Sequence, residues 1–160
     1  AIDWLALNKN DRVLDLFCGI GNFSLPIAQR CERVVGIEGV SKMVQRATKN
    51  AQNNALSHCQ FRQSDLTGSD WISPLKSEKL TKVLLDPSRE GAKDAIKLLP
   101  SLKPSHIVYV SCNPATFARD AAILLEHKFR IEKISLMDMF PQTAHTELMA
   151  LFVPSNPKSS

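Results

Sequence analysis

No apolar run in this chain approaches the roughly 18 residues that a helix needs to cross a bilayer, so no segment reads as a membrane span. No signal peptide is expected either, because the chain opens on an amphipathic stretch, Ala1-Ile-Asp-Trp-Leu-Ala-Leu7. The four cysteines, Cys18, Cys31, Cys59 and Cys112, show no C-x-x-C spacing. That argues against a structural zinc or iron–sulfur site within this segment. Thiols scattered in this way fit a reducing, cytoplasmic location, with at most one or two of them chemically active. A long Lys/Arg run is also missing, and with it a dedicated nucleic-acid arm. Internal repeats and interdomain linkers are absent, so one domain is the simplest organisation.

What is present is ordinary in bulk. At 160 residues the chain is near the commonest domain size and can bury roughly 70% of its unfolded surface in one core. Its 44% hydrophobic and 22% charged residues fit a globular protein. A net charge of +4, with a pI near 9.0, mildly favours an anionic partner. The first residue is not Met and already lies in a helical pattern, which leads us to expect a fragment of a longer protein.

Short apolar runs alternate with amphipathic segments. Strands are expected over 12–17, 33–38, 59–63, 82–86 and 106–111, and helices over 23–30, 41–54, 92–99 and 115–127. Ser41 is a candidate N-cap, with Met43, Val44 and Ala47 at helical spacing after it. A strand over 130–137, a loop and a last strand over 147–153 would pair antiparallel. The polar tail over 154–160 is expected to be disordered. The alternation implies an α/β fold: a mostly parallel sheet with helices on both faces and an antiparallel last strand.

The first strand-to-helix turn is Leu14-Asp-Leu-Phe-Cys-Gly-Ile-Gly-Asn-Phe-Ser24. Gly19 and Gly21 permit a tight turn and close approach of a ligand. The next strand ends in Glu38, whose carboxylate can accept from both hydroxyls of a ribose. The third glycine of the dinucleotide fingerprint is missing, which favours S-adenosylmethionine over a nicotinamide cofactor. This segment resembles the first motif of Rossmann-like, class I S-adenosylmethionine-dependent methyltransferases. The resemblance implies contacts from Phe17, Gly19 and Asn22 around the methionine and ribose, Glu38 on the ribose, and Asp65 near the adenine. An Asp before Leu66-Thr67 also reads as a helix cap.

Two more motifs follow strands four and five: Asp86-Pro-Ser-Arg-Glu-Gly91 and Ser111-Cys-Asn-Pro-Ala-Thr116. Both open at the same sheet edge as the glycine turn. Cys112 precedes Asn113, a good N-cap, and Pro114, suited to a first helical position. A thiol placed there is favoured as the reactive thiolate. Cys31 and Cys59 read as small buried hydrophobes, and at Cys18 the backbone matters more than the sulfur. In the last element, Asp138-Met-Phe-Pro-Gln-Thr-Ala-His-Thr-Glu147, either His145 or Glu147 could act as a general base if folded over Cys112; a surface loop is the plainer reading.

Taken together, these three segments resemble the RNA uracil-C5 methyltransferase family, over essentially the whole stretch from Asp11 to Val153. Within it, the sequence is most similar to the bacterial branch that acts on 23S ribosomal RNA. One departure is Thr146, where the family usually carries an apolar residue; His145 and Glu147 are kept. The resemblance implies that Cys112 adds to carbon 6 of uracil, that carbon 5 then takes a methyl group, and that Glu147 removes the carbon 5 proton. It places Asp86 against the substrate ring or the cofactor. Arg89 would balance nearby carboxylates, touch a phosphate or form a structural ion pair. The target base must leave its stack. The family's full-length members resemble a three-part protein, with an RNA-binding barrel and a cysteine-rich region upstream. In the ribosomal enzyme that region carries an iron–sulfur cluster, which is therefore not expected in this chain. Nor is a cofactor-contacting glutamine of the upstream region present. The expectation is a catalytic domain over 1–153, monomeric, that recognises RNA poorly without those regions. Other readings stay open: a transfer RNA uracil-C5 enzyme, a small-molecule methyltransferase, a cofactor-binding RNA module without activity, and an NAD-dependent dehydrogenase.

Overall fold

The structure, a computed structural model, describes residues 1–138 and 146–155; the side chains of residues 137, 138 and 146 fall outside the description. The loop over 139–145, which includes His145, and the tail from 156 lie outside the described residues.

Seven strands form one sheet in the order β3-β2-β1-β4-β5-β7-β6. They are β1 (Arg12–Leu16), β2 (Arg33–Glu38), β3 (Cys59–Gln63), β4 (Lys82–Leu85), β5 (His106–Ser111), β6 (Phe129–Asp138) and β7 (Thr146–Pro154). The first five are parallel, and β7 enters antiparallel between β5 and β6. Pro154, expected in the tail, instead closes β7, and Ser155 N–H donates to the Lys128 carbonyl at 2.7 Å.

The helices are α1 (Ser24–Ala28), α2 (Ser41–Asn53), α3 (Lys93–Leu98) and α4 (Pro114–Glu126). Strand alternation sorts the core into two layers. Val13, Val34, Leu84 and Val108 meet Ile27 and Ala28 of α1 and Ala51 of α2 on one face. On the other, Leu14, Leu16, Leu85 and Tyr109 meet Ile96 of α3 and Phe117 and Leu124 of α4. The connection from β3 to β4, which no periodicity marked, puts Trp71, Ile72 and Leu75 into that second layer around a 3-10 turn at Ser73–Leu75. Covering helices change face between β1 and β4, and in open α/β sheets ligands bind at the carboxyl ends of the strands where this reversal occurs.

Sequence and structure differ at α2. Ser41 is the first helical residue rather than the cap; Val40 holds the cap position without a side-chain bond. The Glu38 carboxylate performs part of that task, accepting from Val40 N–H at 3.0 Å. Met43 of the proposed apolar stripe is exposed, and Ala47 and Ala51 carry the packing. Helix α1 is shorter than the expected 23–30, and α3 stops at Leu98 before a 3-10 turn over Leu99–Leu102. Among the described residues no helix is long and apolar enough to cross a membrane.

Candidate active site

The turn after β1 is built from left-handed residues: Phe17 at φ 60°, Gly19 at φ 54° and Gly21 at φ 90°. Phe17 adopts this conformation with a side chain, a strained choice held in place by packing of its ring on the core. A Cβ at Gly21 would stand 2.6 Å from Leu25 Cδ1, a contact that the leucine side chain could relieve, so the left-handed backbone is what favours glycine there. At Gly19 the position a Cβ would take has no atom within 4 Å, which leaves the backbone open to a ligand. Gly19 N–H donates to Glu38 Oε2 at 3.1 Å. Glu38 therefore bridges the first two strand ends while each oxygen keeps a further lone pair. Asn50 of α2 donates through Nδ2 to the Ile20 carbonyl at 3.0 Å and steadies the same turn.

Cys18 acts here through its backbone, as expected: its N–H donates to the Ile37 carbonyl at 3.2 Å, and its carbonyl accepts from Gly21 N–H at 2.9 Å. Its buried thiol is pushed up by desolvation, as are those of Cys31, to about 11, and Cys59, to about 12. Among the four, only Cys112 is exposed.

Asn22 is exposed beside the turn. Asp65 is exposed beyond the end of β3 and accepts from Thr67 N–H at 2.9 Å and Thr67 Oγ1 at 2.7 Å. These bonds hold its pKa below the ordinary carboxylate value. It caps a turn, not the helix that its sequence context suggested, because no helix follows β3.

At the end of β4, Asp86 N–H reaches toward the Leu16 carbonyl at 3.5 Å, putting the residue beside Phe17. At the end of β5, Asn113 caps α4 by accepting from Ala115 N–H at 3.0 Å, with Pro114 opening the helix. Cys112 lies between the last residue of β5 and this cap. Ser111 pairs with Leu148 across the antiparallel ladder, so Cys112 and Glu147 are the next residues outward on their two strands. Glu147 also lies close to Asp86: partial desolvation first, and the Glu147 charge second, raise Asp86 to about 6. The sheet edge thus gathers the glycine turn, Glu38, Asp86, Cys112 and Glu147. Arg89 is exposed in the loop after Asp86, and the described contacts are made by its carbonyl rather than its guanidinium.

Sequence reasoning missed Asp15. It lies in mid-strand β1 with 1% of its surface exposed, on the α1 face. Ser24 Oγ donates to its Oδ2 at 2.5 Å, and its buried Oδ1 has no protein partner among the described residues. Burial first, then the nearby charges of Asp86 and Glu38, outweigh the Ser24 bond and raise its pKa to about 7. The signal available was an acid inside an otherwise apolar strand. Because the folded pKa lies above the unfolded value of about 3.9, the unfolded chain ionises first as pH rises. Stability from this group is full below pH ~4 and is lost as pH rises toward 7, by up to a few kcal/mol. Urea denaturation should therefore show lower stability at pH 8 than at pH 5. Asp15→Asn, which keeps an acceptor for Ser24, should flatten that slope; identical slopes would count against the charge argument.

Among the described residues no group of three or more His, Cys, Asp or Glu side chains is arranged to hold a metal ion. A groove of about 790 Å³ opens at the opposite, amino edge of the sheet, lined by Trp4, Lys103, His106 and Arg130 among others, and includes none of the residues above.

A glycine turn at the switch point of a sheet with this strand order, followed by an acid at the end of β2, defines the class I S-adenosylmethionine-dependent methyltransferase fold. A solved magnesium protoporphyrin IX methyltransferase from Synechocystis, with bound SAM, shares this fold at a TM-score of 0.70 and 23% identity, covering 96% of this chain and 76% of that one. The tRNA (Uracil-5-)-methyltransferase family matches over residues 1–153, and the chain belongs to that family. A Psychromonas ingrahamii relative named 23S rRNA (uracil(1939)-C(5))-methyltransferase RlmD is 57% identical over 153 residues, covering 95% of this chain and 34% of its own length. An Aliivibrio fischeri relative of the same name is 53% identical over 152 residues, with 95% and 35% covered. The chain thus spans about a third of the length of these curated relatives. A Pyrococcus abyssi tRNA (uracil-54, C5)-methyltransferase, solved with S-adenosyl-L-homocysteine, superimposes at a TM-score of 0.78 with 33% identity, covering 94% of this chain and 36% of that one.

Proposed function

We propose that residues 1–153 form the catalytic domain of an S-adenosylmethionine-dependent enzyme that methylates carbon 5 of a uracil in 23S ribosomal RNA, giving 5-methyluridine. The 1939 position in the relatives' names is the target this reading takes over. The observation that carries it is the meeting of an exposed Cys112 with Glu147 and Asp86 at the edge that also holds the glycine turn. A thiol, a base and a cofactor turn at one sheet edge suit covalent activation of a pyrimidine. The iron–sulfur cluster of the ribosomal enzyme would belong to upstream regions, as would most of the RNA contacts.

The residues present fit the cofactor. The open face of Gly19 admits a ligand against the backbone, and Glu38 offers two carboxylate oxygens to ribose hydroxyls. Asp86, Glu38 and Glu147 make this edge acidic in a chain whose net charge is +4, which suits a cationic sulfonium. Phe17, Asn22 and Asp65 complete the proposed contact set. When bound, S-adenosylmethionine supplies an electrophilic methyl group to carbon 5.

The chain's own residues do the rest. Cys112 must be deprotonated to act. Its thiolate forms a bond to carbon 6, the carbon 5–carbon 6 double bond opens, and the electron pair is delocalised as an enolate that makes carbon 5 nucleophilic. After carbon 5 has been methylated, Glu147 takes the carbon 5 proton. The pair left behind restores the double bond and expels the Cys112 thiolate. Asp86, its pKa raised to about 6 by burial and by the Glu147 charge, can accept a hydrogen bond from the pyrimidine edge.

The test uses the full-length protein, S-adenosylmethionine and a ribosomal RNA fragment carrying 5-fluorouridine. Fluorine at carbon 5 cannot leave as a proton does, so a denaturation-resistant protein–RNA adduct carrying the methyl group should accumulate. Methylation of ordinary RNA without any such adduct would sink the covalent mechanism and leave the cofactor assignment standing. Adducts on transfer RNA but not ribosomal RNA would move the substrate and keep the chemistry.

A further inference from the structure

The loop after β4 and the start of α4 carry Asp86 and Cys112, and a single buried carboxylate ties them together. Asp120, in the second turn of α4, is 0% exposed. Its Oδ2 accepts from Ala92 N–H at 2.6 Å, at the far end of the Asp86–Gly91 loop, and from Tyr109 Oη at 2.7 Å. Its Oδ1 accepts from Arg119 Nε at 2.9 Å, and the Arg119 guanidinium also donates to the Glu90 carbonyl at 2.9 Å. Further along the same seam, Asn113 Nδ2 and Thr116 Oγ1 donate to the Arg89 carbonyl at 3.0 and 3.1 Å. Gly91 lets the loop close this tightly: at φ 78°, a Cβ there would stand 2.6 Å from both Asp120 Oδ2 and Arg119 Nη2.

Most of these contacts tie the loop after β4 to the start of α4, and the Tyr109 bond ties α4 to β5. A buried carboxylate with three donors is costly to assemble and rigid once assembled. Tyr109 is kept protonated as a donor, since burial first and the bond to Asp120 next push its phenol above its ordinary value. Tyr109 stands two residues before Ser111 on β5, so the clamp takes hold of the strand that delivers Cys112 as well as the helix after it.

We infer that Asp120, with Tyr109 and Arg119, is a positioning residue that fixes the spacing between Asp86 and Cys112. The inference rests on the proposed roles of those two residues, and it adds a buried device that sets their geometry. Reacting groups lose about 100-fold in rate for displacements near 1 Å, so a loosened clamp should register in turnover.

The experiment compares Asp120→Asn, Tyr109→Phe and Cys112→Ala in the full-length protein. It measures kcat and KM for RNA methylation, S-adenosylhomocysteine affinity and melting temperature. Asp120→Asn should lower kcat on the order of 100-fold, with cofactor affinity changed less than about twofold. Tyr109→Phe removes one donor and should lower kcat about tenfold at nearly unchanged KM, with the melting temperature lowered by a few degrees. A purely structural role would lower melting temperature and leave the kcat of the folded fraction intact, and that result would overturn the inference. Should Asp120→Asn not fold, Tyr109→Phe decides alone: a folded variant with wild-type kcat overturns the clamp, and one with reduced kcat supports it. Activity retained by Cys112→Ala would instead refute the covalent mechanism, so the two failures are told apart.

Discussion

Cys112→Ala is expected to lower methyl transfer by a factor on the order of 10⁴ or more while leaving S-adenosylhomocysteine binding within about twofold. The size of the loss follows from the proposed role: without the thiolate, nothing would raise electron density at carbon 5, and neighbouring groups would not substitute for a missing covalent step. The selectivity follows from position. Cys112 is exposed between the end of β5 and the Asn113 cap, whereas the cofactor turn is built from β1 and β2. Removing an exposed sulfur there leaves no cavity, so stability should change by no more than about 0.5 kcal/mol. Single-turnover methylation and a cofactor titration on the same preparation check both halves. Equal loss of cofactor affinity would mean that the sulfur supports the binding site rather than the reaction.

Glu147→Gln should give a different failure. Addition of Cys112 and methylation of carbon 5 would proceed, but proton removal would slow by roughly 10² to 10⁴, as expected for loss of a positioned base. The distinguishing result is an adduct on ordinary uridine, carrying the methyl group and surviving denaturation, which wild-type protein would not accumulate. Glutamine also removes the charge that helps raise Asp86, so the Asp86 carboxyl should titrate below its present value of about 6. An inactive variant with no adduct would assign Glu147 to an earlier step and leave proton removal to another group.

The parts legible in the sequence were those fixed by local chemistry. Gly19 and Gly21 announced a left-handed turn, and Asn113-Pro114 announced a helix start beside a thiol. Alternating apolar runs placed the strands to within a residue or two. What escaped depended on contacts between distant segments. Asp120 reads in sequence as a polar position on a helix, and only the folded seam against Ala92 and Tyr109 shows it to be the most enclosed carboxylate of α4. Asp15 is hidden for the same reason, since its meaning lies in the strand ends around it. Ser41 misled because it is the first helical residue, with Val40 at the cap, where Glu38 accepts from the Val40 N–H. Asp65, proposed near the adenine with a helix cap as the plainer alternative, caps a turn at Thr67. The antiparallel pairing of the last two strands was readable; the insertion of the second between β5 and β6 was not, because chain order carries no record of spatial order.

That insertion sets an order on biosynthesis. Strand β7 is the last of the seven to leave the ribosome, and it fills a central lane rather than an edge. Until it arrives, β5 and β6 have no shared neighbour, and an open lane with apolar walls is a place for misplaced strands and for chaperones to bind. Cys112 precedes Glu147 in the chain, so on the proposed roles the thiol is made before its base. On the proposed roles, thiol and carboxylate would come together only when β7 pairs with β5 and completes the sheet.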